Sequence, residues 1–548
     1  MEDLTGLKLY DEIMQTQSRD KNIDVLIVGA GPSGLMMACQ LALQKISFRI
    51  IDKKEHPTSY SGALIVQARS LEIFQQMGIA QTAVQRGVIV HEIRLIFNGK
   101  KTFTIPVKDI GLGLTQFPYL LLLEQSQTEQ LLTDFISNFG YSIERETELI
   151  QFTQDDQCVY AVLKRSDGQE ESITTKYLIA ADGARSTVRK QLQIPFNGKT
   201  FSTALYVSDC KAEGDLSPDQ LCFLFSDQAT TGIFPLPGGR WRIDGAISMD
   251  MKSNDPLTFK NIAKHFREKT RMNVEISEPD WFSVFHVNER YASVFQQKRC
   301  FLVGDAAHIH SPVGAQGMNT GLQDSYNLSW KLAFVLQGKA NASLPDTYTS
   351  ERIVVAKNVV RGTDRAFTFV TSRSVFVKLF RVHILPFFLQ LILPILVKRE
   401  SIRHFFFRRI SEIGIHYCKS SLSKQSSTGN FPTYAPRPGE RLPFINYQAD
   451  GKMINNIQDQ VKSTGFHLFI FSKPSYSDAI KQIAEKYTHL ISYEIIPYSL
   501  GKDDLFKRFG IVDSGCYLVR PDLYIAYRSA KPDADHFENY LQQFFTGE

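Results

Sequence analysis

Gly29, Gly31 and Gly34 are spaced GxGxxG between an apolar run, Ile23 to Val28, and a helix-periodic run, Leu35 to Leu43. Glycines at this spacing suit a dinucleotide. The first permits a tight turn, the second lets backbone reach a pyrophosphate at a helix N-terminus, and the third lets helix and strand pack closely. Pro32 and Ser33 lie inside the turn. A second apolar run, SFRIID, ends at Asp52 and is followed by Lys53. An acid about twenty residues past the turn can hold a ribose hydroxyl. The motif does not separate FAD from NAD.

A second constellation lies far down the chain, in VGDAAHIHSPVGAQGMNTGLQD, Val303 to Asp324. Small residues at this density mean that backbone approaches something closely. Gly304-Asp305 follows an apolar strand, Cys300 to Val303, and Asp182-Gly183 likewise follows Tyr177 to Ala181 and precedes Arg185 and Arg189. Other chemistries are poorly supported. His308 and His310 have no carboxylate or cysteine cluster that would complete a metal site, and neither GxSxG nor HExxH occurs.

These motifs need a scaffold of several elements. At 548 residues the chain exceeds one core, and roughly two to four domains are expected. Apolar residues make up 43% and charged residues 22%, an ordinary globular balance, and a net charge of +5 gives no nucleic-acid footprint. The seven cysteines are scattered without CxxC spacing, as buried thiols in a reducing compartment would be. The first twenty residues hold no apolar run, so a cytoplasmic protein is expected. The apolar segment ILPFFLQLILPILV, Ile384 to Val397, is interrupted by Pro386 and Pro394 and is shorter than the ~20 residues of a membrane span. It is expected as a helix pair buried between domains, with a peripheral membrane contact as the alternative.

The three motifs in this order resemble the class A flavoprotein monooxygenases, the p-hydroxybenzoate hydroxylase fold. The resemblance extends through WFSVFHVNERYASVFQQKRCFLVGDAAH, NTGLQDSYNLSWKLA, YTSER and CYLVRPDLYIAYR, roughly Asn22 to Arg528. It implies an α/β chain: a Rossmann-like FAD-binding domain, a β-rich substrate domain and a thioredoxin-like C-terminal domain. The expected division is an N-terminal extension (1–21), the first part of the FAD-binding domain (22–195), a substrate sheet (196–290), a return to the FAD-binding domain with a helical segment (291–420), a polar linker (421–442) and the C-terminal domain (443–548). The last holds no dithiol.

The resemblance also implies roles. Asp305 would hold the ribityl chain of FAD, and Gly317, Met318 and Asn319 would turn backbone N–H groups toward the flavin N1 and O2 edge, as in an oxyanion hole. Asp182, Arg185 and Arg189 match a motif serving FAD and NADPH, two arginines suiting anionic phosphates; the bland reading is a solvated basic helix start. Gln125 matches a ribityl contact, Arg69 an arginine of the FAD region, and the carbonyl of Pro312 a substrate-side acceptor beside Val313. His308 is expected to pack beside the flavin. Phe234 and Pro235, in FPLPGG, suit either a pocket or core packing. Asp324, Asn327 and Lys331 are expected in capping and surface roles.

The implied activity is hydroxylation of an aromatic small molecule, phenolic or polyketide-like, by FAD, NADPH or NADH, and O₂, through a flavin C4a-hydroperoxide. Epoxidation, Baeyer–Villiger insertion and antibiotic inactivation are alternatives on the same scaffold, and a flavin-bound protein without turnover is another. A monomer or homodimer is expected. Two departures from the family stand out. Gly62-Ala63 replaces a frequent arginine-alanine pair, and Leu64 stands where phenol hydroxylase-like members carry an acid. Ionising a phenol at neutral pH costs about 4 kcal/mol, yet no side-chain base is evident.

Overall fold

A computed structural model describes residues 22–546, apart from 58–61, 227–229, 248–256, 271, 373, 450–451, 455, 473–477, 498–502 and 532. The expected N-terminal extension, 1–21, lies outside the described residues. The strand Asn22–Val28 pairs in parallel with Phe48–Ile51 on one side and Glu170–Ala180 on the other, and Glu170–Ala180 pairs in parallel with Cys300–Leu302. Strands buried on both faces read as continuous apolar runs, and Val25, Leu26 and Ile27 are fully buried. Register then does the positioning. Val28 lies beside Ile51 and Ala180, and Ala180 beside Leu302, so all four strands end level. The turns carrying Gly29, Asp52, Asp182 and Asp305 therefore open on one edge, where parallel α/β sheets bind ligands.

Between the second and third motifs the chain builds an eight-stranded sheet. Its order is His308–Ile309, Val274–Ala292, Phe196–Gly214, Trp241–Ala246, Thr230–Pro235, Gln220–Phe225, Glu92–Phe97 and Lys101–Pro106. The expected 196–290 boundary therefore omits three strands that the chain contributes from outside it. Period-two alternation divides the faces. Tyr206, Cys210, Ile233 and Ile243 pack outward under the helix Phe259–Thr270, and Leu205, Val207, Asp209, Arg242 and Asp244 turn the other way. That inner face meets the flavin-motif loop, where Val313 packs on Leu205, Val287 and Phe367.

Two readings of the second half need correction. The apolar segment is not a buried pair: Val375–Ile395 is one helix of 21 residues, with Phe376 84% and Leu391 56% exposed. Only its opposite side, at Val382 and Pro386, seats on the protein. Residues 421–442 are not a free linker either. Lys424–Gln425 adds an edge strand to Ile525–Ser529, Leu442 N–H donates to the Leu523 carbonyl at 2.8 Å, and Leu422 and Ala435 are buried. Polar, proline-rich chain satisfies its backbone along a sheet edge as readily as in water. The C-terminal sheet runs Lys424–Gln425, Ile525–Ser529, Gly515–Val519, Phe466–Ser472, Ile491–Pro497. With the helices Asp478–Lys486, Asp503–Phe509 and Ala534–Phe544 it follows a βαβαββα order.

Candidate active site

The glycine turn separates packing from access. A Cβ at Gly29 would lie 2.3 Å from the Ala181 carbonyl oxygen, and its φ is +103°. A Cβ at Gly31 would meet nothing within 4 Å, so this backbone presents an open face. Gly31 caps the helix Pro32–Leu43, whose first N–H groups have no intrahelical acceptor and favour an anion. Asp52 is held toward the turn: Oδ2 accepts Ala30 N–H at 2.8 Å and Oδ1 accepts Lys54 N–H at 2.9 Å. Lys53 is exposed beside it. Ser33 joins the first motif to the last, since its Oγ fills the space that a Cβ at Gly304 or Gly321 would need.

Asp305 is the one exposed residue in the otherwise buried run Cys300–His308. It is nevertheless deep enough for desolvation to raise its carboxyl, an effect that His308 opposes. A side chain both deep and accessible lines an internal cleft, and no described residue donates a hydrogen bond to it. The helix Gly317–Leu336 starts at the same cleft. Among the described residues the N–H groups of Gly317, Met318 and Asn319 find no acceptor, as expected of a first turn. Asn319 fixes that turn with its side chain, accepting Gln67 N–H at 2.8 Å and donating to the Ile65 carbonyl at 2.8 Å. The carbonyl of Pro312 takes Ala315 N–H at 2.9 Å and keeps one lone pair. Gln125 Oε1 accepts Ala63 N–H at 3.1 Å and so holds the divergent Gly62-Ala63 turn.

Behind this cleft lies a charged network that the sequence reading placed at the surface. Asp324, Asn327 and Lys331 are all buried. Asp324 Oδ2 accepts Gly304 N–H at 3.0 Å and bonds His308 Nε2 at 2.7 Å, which brings His308 to an aspartate. Lys331 Nζ donates to Glu351 Oε2 at 2.8 Å, and burial pushes its ammonium down to about 8 despite that partner. Arg520 also binds Glu351, at 2.6 Å, and docks the C-terminal domain. Arg69 belongs here too: fully buried, it donates to Glu72 at 3.2 Å and to the Asp522 carbonyl at 2.7 Å. Its guanidinium is spent on domain docking and does not reach the cofactor cleft. Arg189 is likewise consumed, by the carbonyls of Ala306 and Ala184, both at 2.8 Å. Arg185 stays exposed, and Asp182 accepts Thr187 N–H at 2.7 Å.

The inner face of the large sheet roofs a hollow of about 320 Å³ lined by Gly62, Val207, Trp281, Phe282, Ser283 and Phe285. Phe234 and Pro235 are buried, Phe234 among Leu64, Leu122 and Leu221, which is core packing at the margin of the hollow. Three polar residues here were not singled out from sequence. Arg242 makes a two-pronged bond to Asp209 at 2.7 and 2.8 Å, and Trp281 Nε1 donates to the same carboxylate at 2.8 Å. Asp244 lies opposite Val207 in the sheet. It accepts Gly232 N–H at 3.1 Å, and burial pushes its carboxyl up to about 6. The signal was present in RWRIDG, where charge alternates with apolar residues along a strand.

Level turns rich in glycine and acid at the end of a parallel sheet, under an antiparallel roof, define a flavin-dependent oxygenase architecture. The chain belongs to the family described as FAD binding domain, which matches residues 22–363. A 6-methylpretetramide 4-monooxygenase from Streptomyces rimosus is 30% identical over 518 residues, 92% of this chain and 91% of that one. Pentachlorophenol 4-monooxygenase from Sphingobium chlorophenolicum is 32% identical over 349 residues, 62% of this chain and 63% of that one. The solved anhydrotetracycline hydroxylase of Streptomyces rimosus superposes with a TM-score of 0.74 at 24% identity, covering 96% of this chain and 99% of that one. This protein is an FAD-dependent monooxygenase.

Proposed function

We propose that the protein hydroxylates a phenolic, polyketide-like aromatic molecule with NAD(P)H and O₂. The observation that carries this reading is a shared sheet edge. Ser33, packed against Gly304 and Gly321, brings the Gly31 turn to Asp305 and to the open N–H groups of 317–319. The following loop meets, at Val313, the sheet face that also lines the apolar hollow. FAD supplies the oxygen-activating chemistry when bound. Gly31 and the helix after it take the pyrophosphate, Asp52 a ribose hydroxyl, and Asp305 the ribityl hydroxyls. The 317–319 N–H groups stabilise negative charge at the ring edge. Asp244 is the proton acceptor that the missing acid at position 64 leaves to be found. Ionised above about 6, it takes a phenolic hydrogen bond and makes the ring more electron-rich. The apolar side chains of Val207, Trp281, Phe282 and Phe285 line the hollow and suit an aromatic ring. All seven cysteines are free, which suits a reducing cytoplasm.

The test is NADPH consumption by the yellow protein across a panel of polycyclic phenols, with product mass and NMR. Stimulated consumption with gain of one ring oxygen is expected. Consumption yielding only hydrogen peroxide with every phenol overturns the reading, and an epoxide or inserted ester oxygen moves it to the alternative chemistries.

A further inference from the structure

The helix Val375–Ile395 carries an apolar stripe that the protein does not cover. Phe376, Phe380, Ile384, Phe387, Leu391 and Ile395 are all exposed. They recur every three or four residues and so share one face. The opposite face is the seated one, through buried Val382 and Pro386 and through Arg381, which donates to the Phe369 carbonyl at 2.9 Å. Phe405 and Phe406, on the adjoining helix Glu400–Ile410, continue the exposed apolar surface. Lys398, Arg399, Arg403, Arg408 and Arg409 flank it, and Glu400 is the one acid in residues 375–410.

We infer that this stripe lies in the plane of an anionic lipid surface. Several observations exclude other dispositions. A spanning helix would draw the domain on which Val382, Pro386 and Arg381 are seated into the hydrocarbon, where its polar surface loses water, whereas a helix lying in the interface leaves that domain outside. Closure by a second copy in a two-fold contact would bring the two basic sets together. An anionic bilayer instead takes the aromatic and aliphatic side chains into its interface and pairs the flanking cations with headgroups. Long basic side chains next to apolar ones reach headgroups while their stems stay in the acyl boundary. The inference is independent of the reaction proposed above, because none of these residues is among those assigned to the cofactor or the substrate.

The experiment is flotation of the FAD-loaded full chain with vesicles of phosphatidylcholine alone and of phosphatidylcholine with phosphatidylserine. Binding to the anionic vesicles is expected, and it should weaken with salt. Phe376→Asp with Leu391→Asp should reduce partitioning by at least about a hundredfold. Lys398→Gln with Arg399→Gln should reduce it about fivefold for each charge. Flavin content and NADPH oxidation should be unchanged in both variants. The inference is overturned by wild-type protein that stays unbound to anionic vesicles, or by binding that the aspartate pair leaves intact. A dimer in sedimentation that the aspartate pair dissolves, without vesicle binding, assigns the stripe to a second copy instead.

Discussion

Arg352 Nε lies 2.7 Å from Asp324 Oδ1, and neither side chain reaches solvent. The other oxygen of Asp324 holds Gly304 N–H and His308, while Arg352 also donates to the Tyr417 hydroxyl at 2.9 Å and the Thr320 carbonyl at 3.0 Å. One ion pair thus ties the loop carrying Asp305 to two helices and to Tyr417, just past the helix Glu400–Ile410. Burial acts to raise the Asp324 carboxyl, but Arg352 and His308 outweigh it and hold the group below its ordinary range.

Asp324→Asn leaves Arg352 buried without its counter-ion. The expected cost is about 3–5 kcal/mol, with faster flavin release because Gly304 and His308 lose their shared acceptor. Urea unfolding and flavin fluorescence measure the two effects. The sign with pH follows from the lowered carboxyl: the pair's stabilisation is present above the ordinary aspartate range and is lost as pH falls below it. An Asp324→Asn variant with wild-type unfolding midpoint and flavin retention would remove this pair from the account.

Gly31 and Gly34 make opposite predictions from the same motif. A Cβ at position 34 would lie 1.9 Å from the Gly29 carbonyl oxygen, whereas one at 31 meets no protein atom within 4 Å. Gly31→Val should leave the melting temperature of the flavin-free protein unchanged and weaken FAD binding at least about tenfold. Gly34→Ala should cost about 1–3 kcal/mol or more through overpacking. Thermal melting of the stripped protein and flavin titration separate the cases. A flavin affinity that Gly31→Val leaves unchanged sinks the pyrophosphate assignment.

Glu412 is buried at the far side of the 317–336 helix, accepting Thr320 Oγ1–H at 2.9 Å and a bond from Gln323. Burial, only partly opposed by these donors, pushes its carboxyl from 4.5 up to about 7. The folded state therefore binds more protons than the unfolded state in this window, and stability falls as pH rises through it. The span corresponds to on the order of 3 kcal/mol. Glu412→Gln mimics the protonated acid, so it should match wild type near about pH 4 and exceed it near about pH 8. Urea midpoints at both pH values check this, and parallel pH profiles for the two proteins would refute it.

What was legible in the sequence was what backbone sterics dictate locally. Gly29, Gly31 and Asp52 were readable because a strand, a tight turn and a helix constrain residue type within a short window. Asp305 was readable because its small neighbours announce close packing, and Ser33 against Gly304 and Gly321 supplies the reason. Charged residues were not readable in the same way. Arg69 finds its acceptor at Asp522, 453 residues away, and Lys331 finds its own on another helix, so spacing on one helix could only suggest a solvated face. The exposed stripe of 375–395 failed for the converse reason. An apolar segment predicts burial, but nothing local says whether protein supplies the cover.

Arg185 and Arg189 divide a pair that the motif presents as equivalent. Arg189 is 5% exposed, donates to two carbonyls and stacks 3.7 Å from the Phe196 ring centroid. It rivets the 187–191 helix to the Asp305 loop through Ala306. Arg185, a few residues earlier, is exposed and keeps its guanidinium at the surface, where a nucleotide phosphate can reach it. Arg189→Ala should therefore destabilise the fold by about 2–3 kcal/mol, from two charge-assisted bonds and the ring contact, with little change in KM for NADPH. Arg185→Ala should leave stability within about 0.5 kcal/mol and raise KM for NADPH about tenfold, the loss of one phosphate contact. Steady-state kinetics and thermal melts on both variants decide the matter. A reversed pattern, with KM moved by position 189 and stability by position 185, would return the reductant site to the buried arginine.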